Sequence, residues 1–419
     1  MTGLLWLTMR TLISIIAIVF ATKGLGGSFN AVFYWLGLAR IHGPVVGGVI
    51  ALLLFVSFIT FRRPTHKNDA PKSAIQKVVF ILALVALMSV GSVIRINGIR
   101  SSKLTIEQAD MLPTILTQIK DFLDGNNPYG PNILANGEHV LRMYLPALWG
   151  TYLPFYVLGL DIRYLNLIAQ LLCYVLLAIC FWQKGRYFNW SFSKSAPLFF
   201  ALIALHVFSK ESFGDVLTVE TGPFWLYYAL LAWSVIQGKS RLTNVLIPLV
   251  ILCRQPAFLL IVPYWIWLAR TDRPELWRSL VVTAAIGFLV SSPFLIRDPG
   301  GFFRGVAFYG KLADQTSLDA MLSWYGLLGV LKANNVLWLQ IPLQTAVFLM
   351  MCGIALKRKD LDGVQALGLG GVIYLWFMLL APVTFKYLFV EPLILCYFLL
   401  NCPPLGPGAP VSDDNLTIA

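Results

Sequence analysis

The sequence predicts an all-α, polytopic membrane helical bundle of about 10–12 transmembrane or re-entrant segments, and three observations lead there. Of the 419 residues, 58% are hydrophobic and only 12% charged, with a mean hydropathy of +0.74; a soluble domain has roughly 45–50% apolar and about 25% charged residues. Apolar runs of about 20 residues, enough to cross roughly 30 Å of hydrocarbon, recur along the chain. Basic residues gather in short stretches between those runs, as cytoplasmic loops do. A water-soluble enzyme of this length is thereby excluded. The net charge of +12 would raise the question of nucleic acid in a soluble protein. Here the placement of the charges makes it a topology signal, and no nucleic-acid partner is expected.

Apolar windows place spans near 4–22, 44–61, 78–94, 163–182, 196–208, 222–237, 279–297, 335–356, 364–382 and 388–400. The first carries Arg10 and lacks an ordinary signal-peptide pattern, so it is expected to be retained. The short loop with Arg62, Arg63, Lys67, Lys72 and Lys77 is predicted cytoplasmic, which puts the 49-residue segment 95–143 outside. Two further apolar pieces, 144–160 and 242–268, must return to their starting side if the later basic stretches are also to face the cytoplasm. The first contains Pro146 and Pro154, and the second has Arg254-Gln255-Pro256 at its midpoint, where a helix loses a backbone hydrogen bond. Both are therefore read as re-entrant or broken, which is tolerated where the backbone is buried in protein or lines a wet cavity. On this topology twelve of the 20 acids lie outside, so carboxylate chemistry is expected there. The six cysteines show no CxxC or Cys-His spacing and read as small core residues. The Pro- and Gly-rich tail 401–419 reads as disordered.

The outer segment 95–143 has its own pattern. Leu112, Ile115, Leu116, Ile119, Phe122 and Leu123 recur at helical spacing and form one apolar stripe. Pro113 suits the first turn, Thr105 and Gln108 resemble a capping box for a preceding turn, and Gly125 and Pro128 stop the helix. Asp110 then stands just before a helix N-terminus, where partial positive charge favours a carboxylate; as a residue it reads equally as a capping or solvated acid.

Asp110, followed fifteen residues later by Gly125-Asn126-Asn127-Pro128-Tyr129, resembles the GT-C superfamily of integral membrane glycosyltransferases, above all the bacterial polyprenol-phosphate-sugar-dependent mannosyl- and arabinosyltransferases. Further likenesses follow in order: Tyr144-Leu145-Pro146 with Leu158-Gly159-Leu160 and Arg163, the Arg254-Gln255-Pro256 break, Asp314-Gln315-Thr316-Ser317-Leu318, and Ala381-Pro382-Val383-Thr384-Phe385-Lys386-Tyr387. The resemblance covers roughly residues 78–400. It implies a catalytic transmembrane domain in 78–400 and a bacterial inner-membrane location with the active site outside; the two N-terminal spans and basic cytoplasmic loop of 1–77 are additional to the family pattern. The sequence departs from the family pattern where Lys386 replaces a frequent histidine, where Gly214-Asp215 replaces a common Gly-Gln, and in lacking a Val-Tyr pair after the aspartate.

The resemblance implies an inverting transfer of mannose or another hexose or pentose from a polyprenyl-phosphate-linked donor to a cell-envelope glycan or glycolipid acceptor, with Asp110 as catalytic base. Membrane lipids are the remaining partner. Arg254 is the sharpest charge, because a cation near the bilayer centre costs about 2.5–3.5 kcal/mol by insertion scales and needs a cavity or a partner. A donor phosphate is one such partner; an ion pair with Asp215, Glu220 or Glu391 is the other. Lys386 is a second phosphate candidate, its alternative being an interfacial anchor. Arg297 is a further donor-phosphate candidate, with Arg304 beside it, their alternative being the basic residues commonplace at span ends. Asp215 and Glu220, in a predicted short outer loop, are candidates for sugar hydroxyls or plain solvated acids. His139, Tyr129, Gln315 and Tyr387 complete the substrate-binding set. The four histidines form no metal cluster, no cofactor is required, and the chemistry admits a divalent cation, Mg or Mn, bridging phosphate and Asp110. A flippase or transporter of lipid-linked sugars is the alternative function; the long outer loop with its carboxylate and the absence of a visible repeat favour the enzyme.

Overall fold

The computed structural model describes residues 74–105, 111–129, 131–133, 139–141, 144–184, 196, 199–200, 203–204, 206–208, 210–307, 331, 335–359 and 361–381. The expected spans 4–22, 44–61 and 388–400, the tail, Asp110, Gln315, Lys386 and Tyr387 lie outside them.

The described chain is a helical bundle. Its helices are α1 (Ala74–Ser101), α2 (Met111–Leu123), α3 (Pro146–Val157), α4 (Arg163–Lys184), α5 (Lys210–Thr218), α6 (Gly222–Ile236), α7 (Ser240–Ile251), α8 (Val262–Thr271), α9 (Arg273–Arg297), α10 (Pro299–Ala307), α11 (Gln340–Lys357) and α12 (Gly363–Leu379). Among the described residues three helices are long and apolar enough to cross a membrane: α1, α9, and α11 with the 3-10 turn that precedes it. Their outward faces are apolar, with Leu82, Val281, Phe288, Leu289 and Ile341 all more than half exposed. A soluble surface does not carry such continuous apolar faces; a lipid-facing one does. The chain is thus a helical membrane protein.

The shorter helices make the interior. Helix α12 is apolar on all sides, which requires burial all round, and Leu367, Leu369, Tyr374 and Leu375 have no exposed surface. Tyr228 of α6 donates to the Leu367 carbonyl at 2.6 Å and ties the two helices. Gly370 of α12 lies so close to the backbone of Leu260 that a β-carbon would overlap its carbonyl. Gly370→Ala is expected to destabilise the protein by about 3 kcal/mol, the upper end for overpacking, because backbone cannot yield as a side chain does. Thermal unfolding in detergent checks this, and an unchanged melting temperature would contradict it.

The piece 242–268 is broken where the Arg254-Gln255-Pro256 sequence demands. Helix α7 ends at Ile251, Arg254 is extended, a 3-10 turn spans Gln255–Leu260, and α8 follows. The first turns of α7 and α9 touch through Asn244 Nδ2, which donates to Glu275 Oε1 at 2.8 Å, and Asp272 alone separates α8 from α9. The chain therefore enters and leaves this piece at one end of the bundle. The piece 144–160 yields the 12-residue α3, about 18 Å long and short of the roughly 30 Å a crossing needs.

Three expectations need correction. Helix α1 continues to Ser101, so Arg95 belongs to a helix and not to the outer segment. The supposed loop carrying Asp215 is mostly helix α5, leaving only 219–221 as connection to α6. The fold is not strictly all-α: Pro131–Ile133 and His139–Leu141 pair antiparallel in a two-stranded sheet, with Asn132 opposite Val140.

Candidate functional site

Helix α2 buries Leu112, Ile115 and Ile119 completely, as its stripe predicts, while Phe122 and Leu123 at its end stay 40% and 49% exposed. Gln118 holds its inner face by donating to the carbonyls of Pro128 and Tyr144, both at 3.3 Å. The helix stops at Gly125, whose φ of 74° is the left-handed conformation that glycine adopts freely. The amide of Asn126 bonds back to Asp121 O at 2.6 Å, satisfying a carbonyl of the last turn.

The Gly-Asn-Asn-Pro-Tyr turn then docks on the α9–α10 junction. Asn127 Nδ2 donates to Asp298 Oδ2 at 2.8 Å, and the other Asp298 oxygen accepts the Gly301 amide at 2.8 Å. The Tyr129 ring stands edge-on between Phe294 and Phe302, and its hydroxyl accepts the Trp149 indole N–H at 3.2 Å. Burial pushes the Tyr129 phenol upward from its usual range, so it stays neutral. Because Asn127 bonds a carboxylate, Asn127→Ala is expected to cost about 1.5 kcal/mol, and Asn127→Asp more, since it faces Asp298 with a like charge. Limited proteolysis of the 125–143 region reads the effect; digestion at the wild-type rate in both variants would remove the tie from the account.

A second set of polar groups lies inside the bundle. Arg254 Nη2 donates to Glu220 Oε1 at 2.5 Å, and the two side chains are 5% and 2% exposed. Tyr374 of α12 faces the same guanidinium. The connection bearing Glu220 is held from α4: Asn166 Nδ2 donates to the carbonyls of Val219 at 2.7 Å and Val216 at 3.2 Å. Tyr152 of α3 donates to Asn166 Oδ1 at 2.5 Å and also reaches Glu220 O. Gly222 opens α6 directly against the Asn166 backbone, where a β-carbon would stand 3.1 Å from Cα.

Next to this pair is a cavity of about 40 Å³ lined by Asn166, Gln170, Tyr174, His206, Asp215 and Trp225, among others. That volume admits about three water molecules. Tyr174 and His206 share a hydrogen bond of 2.5 Å. Just beyond, Arg95 is 1% exposed. Its guanidinium donates to Gln170 Oε1 at 2.7 Å, Ser212 Oγ at 2.8 Å, and the carbonyls of Gly91 and Val207, with Asp215 supplying countercharge.

The expected site residues thus fall into separate places. Glu220 and Arg254 meet directly, which is the ion-pair alternative for Arg254. Asp215 lines the neighbouring cavity. Tyr129 is buried between Phe294 and Phe302, its hydroxyl accepting from Trp149. Arg297 is exposed at the end of α9, on the side where the Asn127 turn docks. His139 opens strand β2, and Arg304 belongs to α10. Asp110 precedes Met111, the first residue of α2, and lies outside the described residues, as do Gln315, Lys386 and Tyr387. Among the described residues no group of three or more His, Cys, Asp or Glu side chains could hold a metal ion.

Arg95 and the polar face of α4 are what sequence reasoning missed. The signal was present: Asn166, Gln170 and Tyr174 recur every four residues in an apolar helix, one above the other. Arg95 sits in an apolar run that continues beyond it and should have been read, like Arg254, as a cation requiring partners. No family model, curated protein or solved structure matches this chain.

Proposed function

We propose that the chain is an inverting GT-C type glycosyltransferase of a bacterial inner membrane, acting on the extracytoplasmic side. It would transfer mannose, or another hexose or pentose, from a polyprenyl-phosphate-linked donor to a cell-envelope glycan or glycolipid. The observation that carries this reading is the anchored amphipathic helix. Asp110 immediately precedes α2, whose far end is fixed to the α9–α10 junction by Asn127 and Tyr129. A general base has to be held within hydrogen-bond reach of the hydroxyl it deprotonates, and a rigid helix start serves that need better than a free loop. The ordered series of family-like motifs in the sequence supports the same reading.

In this reaction the acceptor hydroxyl oxygen attacks the anomeric carbon and its proton passes to Asp110. The bond from that carbon to the phosphate oxygen breaks, and polyprenyl phosphate leaves. Arg297 and Lys386 are the proposed cations for the leaving phosphate. Arg254 joins them only by sharing Glu220. Asp215, His139, Gln315 and Tyr387 are the proposed contacts to sugar and acceptor, while Glu220 holds Arg254 and Tyr129 positions the loop.

The test uses the full chain reconstituted in liposomes with labelled polyprenyl-phosphate sugars and envelope acceptor. A labelled glycoside of inverted anomeric configuration is expected. Transbilayer movement of the lipid-linked sugar with no glycosidic bond formed would replace this reading by the flippase.

A further inference from the structure

The loops at one end of the bundle converge, and their charge is lopsided. Asn244 meets Glu275, which joins the start of α7 to the start of α9. Arg270 at the end of α8 donates to the carbonyls of Ala355, Leu356 and Arg358 at the end of α11. Gly363 at the start of α12 packs against Trp267 of α8 and Val235 at the end of α6. The turns after α6, α8 and α11 therefore share one end of the molecule. Their sequences bring eight basic residues together: Lys239, Arg241, Arg270, Arg273, Arg278, Lys357, Arg358 and Lys359. Four acids accompany them, Asp272, Glu275, Asp360 and Asp362.

The acids are largely committed to the fold. Asp272 accepts the Glu275 amide at 3.1 Å and Asp362 the Gln365 amide at 2.8 Å, each as an N-cap. Glu275 accepts from Asn244 and pairs with Arg278. Asp360 lies outside the described residues. By contrast Lys239, Arg241, Arg273, Lys357 and Lys359 are exposed and form no ion pair among the described residues. Aromatic rings border them: Trp277 is 67% exposed, and Lys239 Nζ lies 5.2 Å from the Trp233 ring centroid. Exposed tryptophan beside lysine and arginine, at the ends of lipid-length helices, is the composition of a headgroup-level belt.

We infer that this end of the bundle is a binding surface for anionic phospholipid headgroups, assembled from the turns after α6, α8 and α11. Charge complementarity selects that occupant: α9 and α11 present apolar faces to acyl chains up to the level at which Arg273 and Lys357 begin, so phosphates on lipid are delivered to these cations by the bilayer itself. The inference does not depend on the glycosyltransferase reading.

Native mass spectrometry of the purified full chain tests it, by titration with phosphatidylglycerol against phosphatidylcholine. Wild type is expected to retain phosphatidylglycerol preferentially, and less so as salt rises. The variant Arg241→Gln/Arg273→Gln/Lys359→Gln should weaken that binding roughly 100-fold, each charge near the surface being worth about fivefold. The variant Lys103→Gln/Lys120→Gln, altering exposed cations away from these turns, should bind as wild type. Equal retention of both lipids by wild type, insensitive to salt, would overturn the inference even if the triple variant did not fold. So would equal losses in the two variants, or saturation of the surface by inorganic phosphate at the concentrations at which lipid binds.

Discussion

Arg254→Met is expected to lower the stability of the folded protein by about 3–5 kcal/mol, because it leaves the Glu220 carboxylate buried with its ion-pair partner removed. The size follows from burial. An exposed pair contributes about 0–1 kcal/mol, since water replaces the lost partner. Here the side chains are 5% and 2% exposed, and water has no comparable access. Glu220→Gln should cost a comparable amount, because the amide still accepts a hydrogen bond but leaves the buried Arg254 guanidinium, which cannot deprotonate, without its countercharge. The double variant Arg254→Met/Glu220→Leu should recover much of the loss, because an apolar pair of similar volume has no charge to desolvate. Thermal unfolding of wild type, both single variants and the double variant closes the cycle. If Arg254→Met melts with wild type, the pair is not a structural unit and Arg254 is held by something else.

Asp110→Asn is expected to reduce sugar transfer by about 10²–10⁴-fold, the usual contribution of a general base. Asparagine has nearly the shape of aspartate and serves as well before a helix, so folding and donor binding should persist. The loss should therefore fall on kcat with KM little changed, which separates removal of a base from loss of binding. Wild-type turnover by Asp110→Asn at equal expression would remove Asp110 as base. It would leave the anchored helix as a structural feature only.

Element positions were largely legible because their cause is local. Runs of one apolar character at 163–182, 222–237, 279–297, 335–356 and 364–382 correspond to α4, α6, α9, α11 and α12. Pro256 after Arg254 marked a break that no distant contact had to create. A charge does not mark an element boundary where distant groups receive it. Arg95 continues its helix because four polar groups, from three other stretches of chain and its own helix, receive its donors. Asp215 falls between two apolar runs, yet the stretch Lys210–Thr218 is helical because it packs against α1 and α4. The docking of Asn127 on Asp298 joins residues 171 positions apart. No local pattern encodes such a pairing, nor the seat of the Tyr129 ring between two phenylalanines.

The buried ion pair also sets an order of events during synthesis. Glu220 is made 34 residues before Arg254. At about 5–20 residues per second, roughly 2–7 s pass between them. Helix α6 is completed within that interval, but the carboxylate just before it has no arginine to receive it, and a bare carboxylate is costly in hydrocarbon. Until the Arg254 break arrives, the connection that bears Glu220 can keep its charge only where water reaches it. The tie between the α5–α6 connection and the break after α7 is therefore made only once α7 has been synthesised.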